Sequence, residues 1–216
     1  MKLNLIGLLI IFIVLSFSGF FAYDYYNNPG AIITGKYPDF SLTNFNNESI
    51  TFSDYSGKVR MVTFVYTVCA YGCNLITTKM TDTYNQLVDK GYDDDIAFFV
   101  IDFDYLHDNL TTLQNYASSI TGIDELPDNY QFITGNEEQI NQTALEWGFY
   151  YELEKSPLVN TTVQLSEYEH GSVSWIHAFI VYIIDQDGQI RHYLHGTDWI
   201  VEDAYKVMRY LIRHGS

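Results

Sequence analysis

The sequence predicts an α/β fold, a central mixed sheet flanked by helices, carried behind an N-terminal transmembrane helix. Three observations predict it. An apolar, β-branched run from Val59 to Val68 passes through Cys69 and Cys73 into a helical pattern, then into a second apolar strand, Ile96 to Phe103, making a βαβ unit. The apolar run Ala178–Ile184, the tight turn Asp185-Gln186-Asp187-Gly188 and a partner segment Gln189–Leu194 read as a closing β-hairpin. From Leu3 to Ala22 the chain carries no charge, which is about the 20 residues a bilayer-spanning helix needs.

That first run exceeds the roughly 7–15 apolar residues of a cleaved signal peptide, and Ser16 and Ser18 offer only a poor cleavage site. It is read as an uncleaved anchor over residues 1–23, with Lys2 inside and all that follows Tyr23 on the outer face of the membrane. Residues 24–35, with Asn27, Asn28, Pro29 and Gly30, read as a linker, and residues 36–216 as one domain.

Within the domain, Pro38–Leu42 and Ser49–Phe52 predict an opening hairpin, and Ser53 to Gly57 a loop or single turn before the central strand. Ile76, Met80, Tyr84, Leu87 and Val88 recur at helical spacing after Cys73. Asp93, Asp94 and Asp95 mark a surface turn, and the run after them, continuously apolar except Asp102, suits an inner parallel strand. Leu110, Leu113, Tyr116, Ala117 and Ile120 form one helical face that stops near Gly122. Tyr130 to Gly135 is a short segment before a helix from Glu137 to Phe149, apolar at Ile140, Ala144, Leu145 and Trp147 or Gly148. Glu152 to Trp175 is long, polar and irregular, an excursion from the core of a kind often functional. Ala178–Ile184 and Gln189–Leu194 are the hairpin strands, and Thr197 or Asp198 is placed to cap a last helix from Trp199 to about Arg213. The order β-β-β-α-β-α-α-β-β-α, with cysteines at the first βα junction, is that of a thioredoxin-like fold.

Composition narrows the function. With 27 acidic against 11 basic residues, the net charge of −16 argues against nucleic acid and anionic lipid heads as partners. Cys69 and Cys73 are the only cysteines. A bridge closing so short a loop constrains the unfolded chain little, so stabilisation alone explains the pair poorly. At a strand–helix junction the helix N-terminus favours thiolate, and no acidic residue lies between Tyr55 and Thr81. At least one thiol is therefore expected to titrate below the free value of about 8.5.

A dithiol alone is compatible with redox exchange, a structural bridge or a metal. His177 stands just before the apolar run 178–184, and in a thioredoxin-type layout that approach lies beside the cysteine loop. Two thiolates and an imidazole suit Cu(I), and Cu(II) with an added oxygen ligand. Zn(II) is the rival, though structural zinc takes four protein ligands. His107, His170, His192, His195 and His214 are imidazoles of the same bare standing.

From about Lys36 to Gly196 the chain resembles the Sco/SenC family of membrane-anchored, thioredoxin-fold copper proteins. The motif leading into the family's C-x3-C loop is answered by Gly57, Lys58, Phe64, Tyr66, Thr67, Cys69 and Cys73. The family's D-P-x-x-D-T segment resembles Asp104, Tyr105 and Asp108, with Leu113 and Tyr116 following, and its W-x-F-L-T-G segment resembles YQFITG. Its metal-binding histidine corresponds to His177, ahead of Asp185, Asp187 and Gly188. The chain departs from the pattern at Ala70 and Asn74, where proline is usual, at Ile176, where aspartate is usual, and at Tyr105. It also lacks an acidic residue inside the cysteine loop, and none of these departures removes a ligand. The resemblance implies a metallochaperone that holds copper at Cys69, Cys73 and His177 and delivers it to the dinuclear copper centre of a terminal oxidase subunit. The alternative is a membrane-tethered thiol–disulfide oxidoreductase that keeps the acceptor's cysteines reduced. A peroxidase and a merely structural disulfide rank behind both.

Overall fold

The computed structural model describes residues 16, 35–69, 72–123, 126–153 and 175–215. The expected anchor over 1–23 and linker over 24–35 fall almost wholly outside these residues. Among the described residues no helix is long and apolar enough to cross a membrane.

A seven-stranded sheet forms the centre, in the spatial order β2-β1-β5-β4-β3-β8-β9. These strands are β1 (Ser41–Asn44), β2 (Ser49–Thr51), β3 (Val59–Val65), β4 (Ile96–Asp102), β5 (Tyr130–Thr134), β8 (Ile180–Ile184) and β9 (Ile190–His195). The three middle strands, β3, β4 and β5, are parallel. Antiparallel pairs close both edges, β1 with β2 and β8 with β9. Every residue of β3 and β4 is buried, because helices or loops cover both faces of inner parallel strands. The expected mixed α/β sheet flanked by helices is thus present.

Side-chain alternation divides the two layers. On one face, Phe98 of β4 meets Tyr84 of helix α1 (Gly72–Val88) at 5.3 Å between ring centroids. On the same face, Phe132 of β5 meets Tyr116 of α2 (Leu110–Thr121) at 6.2 Å. On the other face, Phe99 packs edge-on against Phe52 at 5.3 Å. Trp147, at the end of α3 (Glu137–Glu146), stacks on Tyr37 there at 4.2 Å. The last helix, α4 (Val201–His214), packs against α1.

Several expectations are corrected. The segment at Tyr130 is a strand of the main sheet, short enough to escape notice and interrupted by Gln131, whose amide is held by Asp128 and Asn44. Leu145 is 80% exposed, so the apolar face of α3 runs through Ile140, Ala144 and Trp147 only. Neither Thr197 nor Asp198 caps α4. Its N-cap is Ile200, which makes no side-chain cap bond, and the Thr197 and Trp199 carbonyls instead accept from Lys79 Nζ at 2.7 and 2.6 Å. The ends of the 152–175 excursion form a separate two-stranded ribbon, β6 (Tyr151–Leu153) antiparallel to β7 (Trp175–His177). The run expected as one strand from Ala178 is therefore preceded by β7 and breaks at Ala178–Phe179 before β8 starts.

Asn109 caps α2, accepting from the N–H groups of Thr111 and Thr112 while Thr112 Oγ1 accepts from the Asn109 N–H at 2.7 Å. Asn109→Ala is expected to lower stability by about 1 kcal/mol. An unchanged denaturant midpoint would show that this capping box contributes nothing.

Candidate metal centre

Strand β3 ends at Val65, and the chain turns at once, the Cys69 N–H donating to the Tyr66 carbonyl at 3.2 Å. The turn is tied down by Asp108. Its Oδ2 accepts from the Thr67 N–H at 2.9 Å, and its Oδ1 accepts from the Thr67 hydroxyl. Helix α1 then opens at Gly72, placing Cys73 in its first turn, where the Cys73 N–H donates to Cys69 Sγ at 3.4 Å. His177 arrives from the far end of the chain as the last residue of β7. Register with β6 puts it opposite Tyr151, and the Ala178 N–H holds the turn after it on the Tyr150 carbonyl at 3.1 Å.

The three side chains converge. Cys69 Sγ, Cys73 Sγ and a ring nitrogen of His177 all lie within 4.8 Å of one another. Nε2 of His177 is 3.7 Å from Cys73 Sγ, and Nδ1 is 3.0 Å from the Ala178 carbonyl. A carbonyl only accepts, so Nδ1 carries the proton and Nε2 turns its lone pair toward the thiols. Both thiols are reduced and buried, and the imidazole is half-buried. Aromatic rings wall the imidazole: Tyr66 edge-on at 5.5 Å, Phe103 at 5.3 Å, Phe149 at 6.3 Å and Phe179 at 4.5 Å.

Electrostatics at Cys73 run opposite to the expectation from the helix N-terminus. Burial pushes the Cys73 thiol well above its ordinary value, and the Cys69 sulfur beside it adds to the shift. Asp102 on β4 opposes the Cys73 thiolate as well. The acid-free window from Tyr55 to Thr81 is a property of the linear chain only. In space, β4 and the loop after it bring Asp102, Asp104 and Asp108 to the same end of the sheet. Asp102 is fully buried, and desolvation raises its carboxyl well above the carboxylate range. Tyr66 is pushed up to about 12 by burial and by the two sulfurs.

The other histidines stand apart. His107 Nδ1 is bound to Asp104 at 2.8 Å, and His192 and His195 lie on β9. His214 ends α4, stacked on Tyr210, and His170 is outside the described residues. A surface cleft of about 470 Å³, lined by Tyr37, Trp147, Tyr182 and Tyr193 among others, touches none of the three converging residues. A smaller one of about 300 Å³ runs alongside the cysteine loop at Thr67, Asn74 and Tyr116. The residues that sequence reasoning missed are the aromatic walls. Apart from Tyr66, which stands in the motif before Cys69, their signal was a high aromatic content, which reads equally well as ordinary core.

The profile of the SCO1/SenC family matches residues 34–212. The chain belongs to the SCO1/SenC family. Comparison with curated protein sequences finds no match. Solved Sco structures share the fold. Copper-bound ScoI from Bradyrhizobium japonicum superposes with a TM-score of 0.65 at 20% identity, over 82% of this chain and 100% of that one. Copper-bound yeast Sco1 gives 0.65 at 17% identity, over 85% and 91%. BsSco, described with a disulfide switch and as a member of the Sco family of cytochrome c oxidase assembly proteins, gives 0.62 at 20% identity, over 86% and 98%. The SCO1/SenC domain accounts for every strand and helix described above, from β1 to all but the end of α4.

Proposed function

We propose that this protein is a copper metallochaperone, binding copper as cargo at Cys69, Cys73 and His177. We further infer that it delivers the metal to the dinuclear copper centre of a terminal oxidase subunit. The observation that carries this reading is the meeting of two thiols and a lone-pair-bearing Nε2 in a buried, aromatic-walled site. Soft thiolates with imidazole suit Cu(I), and an added oxygen ligand would accommodate Cu(II). Structural zinc takes four protein ligands, and among the described residues no fourth histidine, cysteine or carboxylate joins the three. The SCO1/SenC membership and the copper in the Bradyrhizobium and yeast relatives support the choice of metal. The oxidase assembly role named for the Sco family supports the acceptor. Residues 1–23 would anchor the chain in the membrane, holding the domain on the outer face within reach of a membrane-bound acceptor.

Transfer then needs only ligand exchange between two thiolate-bearing sites. A redox role, keeping acceptor cysteines reduced, is the second reading. The closeness of the reduced sulfurs favours it, with the Cys73 N–H already on Cys69 Sγ.

Anaerobic titration of the reduced full chain with Cu(I) against a chelator tests the proposal, with one tightly held copper per chain expected. Failure to compete for Cu(I) would overturn it. The pH dependence follows from the raised Cys73 thiol, which is protonated at neutral pH and must lose its proton to ligate. Copper binding should release at least about one proton, and apparent affinity should rise by about tenfold per pH unit between roughly pH 6 and 8. An affinity flat over that range would mean that the ligating thiols are already ionised.

A further inference from the structure

Gly72 adjoins Cys73 and opens α1. A Cβ placed there would stand 2.1 Å from Cε1 and 2.3 Å from Cζ of Phe179. The missing side chain is the space the Phe179 ring occupies. The same ring lies 4.5 Å from the His177 ring at 69°. Phe179 belongs to neither β7 nor β8, yet its backbone is held, its carbonyl accepting from the Gly196 N–H at 2.9 Å. One fixed ring therefore spans the gap between the segment that carries the thiols and the segment that carries the imidazole.

The geometry points to Phe179 as a positioning residue for the metal centre, wedged into the space left by Gly72 so that His177 Nε2 stays aimed at the two thiols. This rests on the ligand set proposed above and adds to it the reason the imidazole holds its place. The Nδ1 bond to the Ala178 carbonyl is a contact with the adjacent residue and moves with it. Tyr66 and Phe103 border the ring from β3's end and β4's end. The edge of the Phe179 ring stands where a Cβ on Gly72 of the cysteine helix would be. A small residue at position 72 is then a requirement of the histidine's position as well as of the loop.

The test loads the full chain with Cu(I) and reads imidazole ligation by X-ray absorption, where the ring gives outer-shell scattering, alongside affinity and thermal unfolding. In the unaltered chain, imidazole scattering is expected. Phe179→Ala and the bulkier Phe179→Leu should keep copper on the two thiolates yet lose or weaken that scattering. Affinity should fall on the order of 10–100-fold, the usual cost of losing a group that orients a ligand. Gly72→Ala should produce the same loss by displacing the ring, and Gly72→Ala combined with Phe179→Leu should bind better than Gly72→Ala alone. Scattering and affinity that survive in Phe179→Leu and in Gly72→Ala would overturn the role of Phe179 while leaving the ligand set intact. Absence of imidazole scattering in the unaltered chain would overturn the ligand set itself, and the positioning role with it.

Discussion

His177→Ala is expected to bind copper at least on the order of 100-fold more weakly than the unaltered chain, while still reducing a model disulfide at nearly the original rate. The size follows from the donor count. Loss of a group that merely orients a ligand costs about 10–100-fold in metal affinity, and here the donor atom itself disappears from the proposed three-donor site. Thiol–disulfide exchange uses the two sulfurs and no imidazole, so the variant separates the chaperone from the oxidoreductase. No other described histidine takes its place, since His107 is engaged by Asp104 and His192, His195 and His214 lie on β9 and α4. Copper bound as tightly by His177→Ala as by the unaltered chain would refute the ligand set, and His170 would then be the next residue to test.

Trp147→Ala should destabilise the domain by about 3–5 kcal/mol, the usual range for removing a buried Trp or Phe side chain. Its ring is 2% exposed. It touches Tyr37, Phe52, Phe40 and Tyr182 at centroid distances of 4.2, 5.2, 5.7 and 5.4 Å. These residues come from three separate parts of the chain, so no single neighbour can collapse into the space. With about 2–4 °C lost per kcal/mol for a protein of this size, the melting temperature should drop on the order of 10 °C. Trp147→Phe should cost far less. It keeps most of the ring and removes an indole N–H that is buried with no partner among the described residues, and an unpaired buried donor is itself unfavourable. Equal losses for the two variants, or no loss for Trp147→Ala, would mean that the cluster is not where the sheet's second face draws its stability.

Elements with strong periodicity were legible beforehand. The strands beginning at Val59 and Ile96, the helix after Cys73, the helix capped by Asn109 and the DQDG hairpin all stand where pattern and turn chemistry place them. Elements stabilised by distant partners were not. Strand β5 is five residues long and gains its place by pairing with β4 and β1. The β6–β7 ribbon joins three residues to three across the whole stretch 154–174. The start of α4 is governed by Lys79 from another helix rather than by its own capping side chains. In each case the deciding contact is absent from the local window.

The same division holds at the site. The sequence by itself displayed two cysteines at a strand–helix junction, and the family resemblance singled out the histidine before a late strand from five others of equal bare standing as the third proposed donor. The sequence determined too that the central strands are buried on both sides, because their runs are mostly apolar rather than alternating. Only the tertiary structure decided the electrostatics and the enclosure. Cys73 is a raised thiol because folding desolvates it and sets Cys69 and Asp102 against its charge, whereas the linear neighbours of the loop are neutral or basic. The identity of Phe179 as the ring over Gly72 was decided there as well, since a missing Cβ acquires meaning only when something else fills its space. Ligand identity is carried by single residues, but desolvation and close packing belong to groups brought together from across the chain. That is why the candidate donors could be named in advance and their surroundings could not.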